Sequence, residues 1–289
     1  MNEPKRKTLL SDLLGVDQID ETRFIGHRRE GDHGRIFGGE VLAQALMAAS
    51  NTVAPEKQVH SAHNYFMRPG DSDLPIHYEV FADLDGRSFS NRRVVARQND
   101  KPIFSLTASF QALEPGLAHQ QARPEAQGPE GLPNEQDLAR AHAEQFPEKL
   151  YHALIRERPF EVRPVSGEAS FMTVEPTDQQ KTWFRCRESI GNHPSLQRAI
   201  LAYASDLSLL STCLRPHGMT WRHSQIRSAS IDHAVWFHAA EIRTDDWLLY
   251  VMDSPWSGAS RGLNRGSIFT RDGQLVASVA QEGLIRLVE

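Results

Sequence analysis

The stretches SAHNYFMRPGDSDLPIHYEV (61–80) and DHAVWFHAAEIRTDDWLLYV (232–251) decide the fold, because each reads as two strands in succession and they overlay without a gap. Tyr65-Phe66 falls on Trp236-Phe237, Ile76 on Trp247 and Val80 on Val251, all at the offset that separates Ser61 from Asp232. Short runs of aromatic and β-branched residues bounded by Gly, Pro and Asp are strand signals. Beyond each pair a long hairpin is predicted, turning at Asn99-Asp100 in one half and at Asp272-Gly273 in the other, nearly the same offset apart. Shared order and spacing are what a duplication leaves behind.

A helix precedes the strands in both halves. Val41, Leu42, Ala45, Leu46 and Ala49 recur at helical spacing after Gly38-Gly39. In the second half Leu196, Ile200, Tyr203, Leu207, Leu210 and Leu214 predict one longer helix over 194–214, with Pro194 at its start and Pro216 just past its end. Between the halves, EPGLAHQQARPEAQGPEGLPN (114–134) has no periodicity and reads as a surface connection. The expected division is therefore a first repeat over 1–113, a linker over 114–150 and a second repeat over 151–289. Helix followed by antiparallel strands, without βαβ alternation, predicts an α+β architecture in which a sheet wraps a helix, twice over.

Composition narrows the function. The chain has 289 residues, 39% hydrophobic and 24% charged, which fits a globular protein of one large or two ordinary domains. A formal net charge of -5 supplies no field for nucleic acid or anionic lipid, and neither is an expected partner. Short basic runs such as His27-Arg28-Arg29 read as solvated faces. Two cysteines, Cys186 and Cys213, are too few for a disulfide framework or a thiolate metal site. The opening MNEPKRKTLLSDLLGVDQ lacks the apolar core of a signal peptide, and the closing RLVE is not a peroxisomal address, so the cytoplasm is the expected location.

Longer motifs carry a resemblance. RIFGGEVLAQAL (35–46), YFMRPGD (65–71) and GRSFSNRRVVARQNDKPIFSLTASFQ (86–111) stand in the first half; YASDLSLL (203–210), SIDHAVWFH (230–238), WLLY (247–250), SRG (260–262) and VASVAQEGLIR (276–286) stand in the second. Along almost its whole length the chain resembles the acyl-CoA thioesterase II family of double hot-dog enzymes. The resemblance implies two tandem hot-dog repeats, acyl-CoA as substrate, hydrolysis to free fatty acid and CoA without metal or organic cofactor, and an active site in the second repeat. Carried over motif by motif, it marks Asp206, Ser230 and Gln281. Two positions depart from the family pattern: Ser230 stands where threonine is often found, and Glu40 where glutamine usually follows the paired glycines. Serine keeps the hydroxyl and loses only a rotamer restriction. Glu40 leaves open an acidic group in the first repeat.

These residue types suit the chemistry. Thioester hydrolysis needs an activated water and a stabilised oxyanion. Asp206 has Ala199, Ala202, Tyr203, Leu210 and Cys213 as helical neighbours, so its carboxylate is expected near an apolar side, where burial would raise its pKa and strengthen it as a base. Gln281 and Ser230 would hold the water. A helix N-terminus at Gly38-Gly39 is open to an oxyanion, although glycines at such turns are as often conformational. On periodicity alone, Asp206 would read as a hydrogen-bonded structural residue, and Ser230 and Gln281 as bland strand positions.

Other motifs fall away. Gly258-Ala259-Ser260-Arg261-Gly262 fits the G-x-S-x-G elbow, but no histidine follows His238, so the triad order fails and Ser260 reads as a strand-entry residue. His60 with His63, or Asp232 with His233 and His238, lack metal-ligand spacing, and Asp232 and His233 read as structural or site-adjacent. Trp221, Trp236 and Trp247 are candidates to line an acyl groove, though aromatic strand residues are usually core. Two alternatives stay open: enoyl-CoA hydration by Asp71 and His77, and a non-catalytic acyl-CoA sensor. Fused repeats also predict a homo-oligomer.

Overall fold

Asn99 and Asp100 both take left-handed backbone conformations, with φ 47° and 60°, as a two-residue hairpin turn demands. The computed structural model describes residues 9–28, 34–172 and 175–288. Arg29, at the end of the basic run noted above, and the first eight residues lie outside them. Contacts divide the chain into two units, one of Met1–Leu113 with Ile190–Tyr203 and one of Glu114–Ser189 with Ala204–Glu289.

The first unit carries α1 (Leu10–Leu13), β1 (Val16–Gln18), β2 (Arg23–Gly26), α2 (Gly38–Ser50), β3 (Lys57–Phe66), β4 (His77–Asp85), β5 (Phe89–Gln98) and β6 (Lys101–Ala112). Its strands run in the order β1-β2-β4-β5-β6-β3, each antiparallel to its neighbour. Alternation along β5 and β6 buries Val94, Ala96, Leu106, Ala108 and Phe110, and α2 lies against both strands with Leu42, Ala45 and Leu46 buried. Each large side chain taken out of water contributes about 1.5–3 kcal/mol. One polar residue of α2 enters this core. Gln44 donates to Leu13 O at 2.6 Å and His27 O at 2.7 Å and accepts from Tyr78 Oη at 2.8 Å, so both ends of its amide are satisfied.

Gly39, the second residue of α2, lies where the backbone of Tyr203 passes close: a methyl group there would sit 2.7 Å from the Tyr203 carbonyl oxygen. Backbone does not yield as a side-chain tip does. Gly39→Ala is therefore expected to cost about 1–3 kcal/mol, the usual scale of overpacking, read as a lower urea midpoint at unchanged slope. An alanine variant as stable as the parent would show that this approach relaxes freely.

The second unit carries α3 (Glu135–Ala141), α4 (Glu148–Ile155), β7 (Phe160–Pro164) and β8 (Gln179–Cys186). Next comes α5 (Pro194–Ser205), whose residues through Tyr203 group with the first unit. Then follow β9 (Ile226–Ser230), β10 (Asp232–Phe237), β11 (Leu248–Gly258), β12 (Arg261–Thr270) and β13 (Leu275–Leu287). The strands run β10-β13-β12-β11-β8-β7, all antiparallel, and β9 also pairs with β13.

The single helix expected over 194–214 is two pieces. The α-helix stops at Ser205, Ser208 turns left-handed at φ 63°, and a 3-10 segment, Leu210–His217, contains Pro216 and ends on Gly218. The sequence Ser-Asp-Leu-Ser explains the break, since such side chains compete for the backbone and favour helix ends. The exposed carbonyls find partners: Tyr250 Oη donates to Ser205 O at 2.8 Å, and Gln180 Nε2 donates to Ser208 O at 3.2 Å and to Thr212 Oγ1 at 2.6 Å. Asp206 is thus presented from a helix terminus rather than from a helix face.

The segment 114–134 has no regular structure until α3, yet it is fastened along the second sheet. Gln120 caps the β12–β13 turn through Gly273 O and Leu275 N, at 2.7 and 3.0 Å, and Gln121 reaches Ser267 Oγ at 2.9 Å. Lys181 and Trp183 donate to the carbonyls of Glu125 and Gln127, at 2.9 and 2.7 Å. Ala126 and Leu132 then cover Trp183, Leu249 and Phe269. A stretch without periodicity becomes a belt because its hydrogen bonds go to the sheet rather than to itself.

Candidate active site

Strand parity puts Gln281 on the inner face of β13, between Val279 and Gly283, with no exposed surface. Leu210 lies directly against Gly283, where any side chain would overlap it. Asn264 stands opposite Gln281 on β12, also without exposure, and donates to the Gln281 carbonyl at 3.4 Å.

On the other side of β13, the chain from β9 to β10 carries one extra residue. Ser230 pairs with Gly283 and Ala234 with Ala280, so three residues, Ile231 to His233, oppose two, Gln281 and Glu282. This is a β-bulge, a device that re-aims side chains beside functional sites. In a regular strand, residues 230 and 233 would face opposite sides. Here both reach Gln281. The Asp232 carboxylate takes the Glu282 N–H at 2.7 Å, and partial burial pushes its pKa up.

Three elements therefore converge on one amide. Gln281 Nε2 lies 2.6 Å from Asp206 Oδ1, 3.2 Å from Ser230 Oγ and 3.2 Å from His233 Nδ1. The structure brings together all three residues marked by the resemblance. Asp206 is 8% exposed and Ser230 half-buried, so the cluster meets solvent on their side and is sealed at Gln281. Tyr250, whose pKa burial and then the Asp206 charge drive up, stays a phenol and a donor. Cys213 is also protonated, its thiol pushed up to about 11 by burial, which removes it as a nucleophile at neutral pH.

Periodicity did not single out His233, Ser205, Tyr250 or Asn264 as parts of this cluster. Inward parity on β11 and β12 could have found Tyr250 and Asn264; the bulge, which brings His233 round, left no readable signal.

His233 is completely buried, and loss of hydration lowers its pKa from 6.5 to about 3. The unfolded chain takes up a proton near pH 6.5 that the folded chain refuses. Its contribution to stability is thus complete above pH 6.5 and is lost as pH falls from there toward 3, with a slope approaching about 1.4 kcal/mol per pH unit. Urea midpoints measured between pH 4 and 7 should show this slope, and a folded His233→Gln variant should show it reduced by one proton's worth. Equal slopes would mean the ring is protonated in the native state.

The other candidates lie elsewhere. Ser260 is not a strand-entry residue: with Ala259 it forms the tight β11–β12 turn, at φ 58° and 48°, because a two-residue hairpin needs left-handed backbone. The Asp71 carboxylate accepts the Asp73 N–H at 3.0 Å within its own turn, and His77 opens β4 as an exposed residue. Trp247 lies under the guanidinium groups of Arg163 and Arg185, at 5.0 and 4.6 Å, in a cluster held by buried Glu161. Trp236 is 37% exposed and borders a groove of about 830 Å³ together with His238, Asp253 and Arg265, on the sheet face opposite to Gln281. Glu40 borders a cavity of about 180 Å³ within the first unit, with Arg28, Arg35 and Ser72.

Comparison with known proteins bears on this geometry. The family model described as acyl-CoA thioesterase matches residues 150–284, and that of the acyl-CoA thioesterase N-terminal domain matches residues 27–111. The chain is 37% identical to human acyl-coenzyme A thioesterase 8, over 98% of this chain and 90% of that protein. It is also 37% identical to acyl-CoA thioesterase 2 of Haemophilus influenzae, over 96% of each. Among solved structures, the acyl-CoA thioesterase II TesB2 of Mycobacterium marinum superposes with a TM-score of 0.78 at 37% identity, covering 96% of this chain and 97% of that one. A hot-dog protein of Alicyclobacillus acidocaldarius, 18% identical with a TM-score of 0.75 over 96% of this chain and 98% of that one, shares the fold. The chain is a double hot-dog member of the acyl-CoA thioesterase family and hydrolyses acyl-CoA thioesters.

Proposed function

We propose that Asp206 is the general base of this hydrolysis and that Ser230 and Gln281 hold the attacking water. The observation that carries the reading is the Gln281 amide, which reaches Asp206 and Ser230 at 2.6 and 3.2 Å from a third element. Asp206 takes one proton from water as the oxygen attacks the thioester carbonyl. The tetrahedral intermediate collapses, the C–S bond breaks, and the proton held by Asp206 goes to the departing sulfur. Free acid and CoA thiol leave. Atoms balance without oxidant or reductant.

The same reading places the protein in fatty acid metabolism in the cytoplasm, as a homo-oligomer. Both cysteines are free and buried, as a reducing compartment permits. Sedimentation of the purified chain reads its association directly.

The test is release of free thiol from acyl-CoA substrates of graded chain length, run beside an enoyl-CoA. Thiol release is expected from saturated substrates. Loss of the conjugated double bond without thiol would instead favour hydration, and tight binding with neither reaction would make the chain a sensor.

A further inference from the structure

A side-chain amide fits its space nearly as well either way round, so something must decide which edge of Gln281 faces Asp206. Its Nε2 can only donate, and the ring nitrogen 3.2 Å away, His233 Nδ1, must then accept. The ring hydrogen therefore sits on Nε2, where the Ser205 hydroxyl oxygen waits 2.9 Å away. Burial keeps the imidazole uncharged at neutral pH, which leaves that lone pair in place. Reversing the amide would set Gln281 Oε1 against the Asp206 carboxylate, and would avoid a second repulsion at Nδ1 only if the ring hydrogen moved there from Nε2. In the observed orientation Oε1 is buried and without a hydrogen-bond partner among the described residues. The amide therefore offers an entering water its amino edge and not its oxygen.

We propose that His233 is a positioning residue: its Nδ1 lone pair holds the amino edge of Gln281 toward Asp206 and Ser230, the side on which the cluster meets solvent and the attacking water arrives. The proposal rests on the reading of Asp206, Ser230 and Gln281 given above. A water entering there meets the Asp206 carboxylate, which takes one of its hydrogens. Ser205 acts one step further out, by holding the ring hydrogen on Nε2.

Two replacements separate this role from mere packing. Asparagine can place an amide oxygen where Nδ1 was, whereas glutamine carries its amide to the Nε2 position. His233→Gln is expected to lower kcat by about 10–100-fold with KM within about twofold, the scale for a misplaced reacting group. His233→Asn should recover about tenfold of that loss. Parental kcat in His233→Gln, or equal losses in two variants that thermal unfolding shows to be folded, would overturn the proposal. A readout independent of the variants' folding comes from ring ¹⁵N shifts of histidine-labelled parent protein at pH 7. The Nε2–H form is expected for the signal correlated with Ser205, and an Nδ1–H or doubly protonated ring there would refute the lock. Asp206→Asn distinguishes the levels. Full activity in that variant sinks the catalytic reading and this proposal with it, while its loss beside parental kcat in His233→Gln sinks the proposal alone.

Discussion

Asp206→Asn is expected to lower thiol release from acyl-CoA by about a hundredfold or more, the usual scale for removing a general base. Asparagine nearly matches aspartate in shape and keeps an oxygen for Gln281 Nε2, 2.6 Å away in the parent, so the cluster should hold together while its basicity is lost. The deficit should appear in kcat rather than KM, because in the proposed mechanism the carboxylate acts on water and not on the bound thioester. Circular dichroism and a parental unfolding midpoint would establish that the variant is folded. Near-normal turnover in such a variant would move the base elsewhere, and Glu40 would be the next residue to replace.

The largest effect on stability is expected from Trp183→Ala, at about 3–5 kcal/mol for deleting a buried large aromatic. Trp183 is 2% exposed and packs with Leu249 and Phe269, while its Nε1–H holds the Gln127 carbonyl at 2.7 Å. Truncation would open a cavity under the belt and remove one of its ties. Two measurements should therefore move together: the denaturant midpoint of the second unit falls, and limited proteolysis begins to cut within 114–132. A drop in midpoint with an uncut belt would mean that Gln120, Gln121 and Lys181 hold the segment without the indole.

The duplicated strand pattern made β3 to β6 and β10 to β13 legible, because aromatic and β-branched residues alternate wherever one face is buried; β1, β2, β7, β8 and β9 lie outside the repeat and were not read. The turns at Asn99-Asp100 and Asp272-Gly273 were equally plain, since Asn, Asp and Gly are the residues that best tolerate the left-handed backbone taken by Asn99, Asp100 and Gly273. The break after Ser205 was not. Leucines at 207, 210 and 214 continue the apolar stripe whether the backbone is α-helical or 3-10, and hydrophobic spacing cannot separate the two. The site divides in the same way. Asp206, Ser230 and Gln281 came from motifs, not from periodicity, and nothing in a linear pattern shows that Ser230 and His233, an odd number of positions apart, can face one side. That depends on a bulge opposite Glu282, and a bulge is a property of two strands in register.

The surplus residue between Ser230 and Ala234 sets a rule for how this protein can change. Substitutions alter one side chain at a time, but a deletion within 231–233 would leave two residues opposite two, keeping Ser230 on Gly283 and Ala234 on Ala280 while abolishing the bulge that brings His233 round to Gln281. Lineages of such a protein are therefore free to vary chemistry at these positions and held to their count, so length in this segment should behave as an inherited constant even where identity drifts.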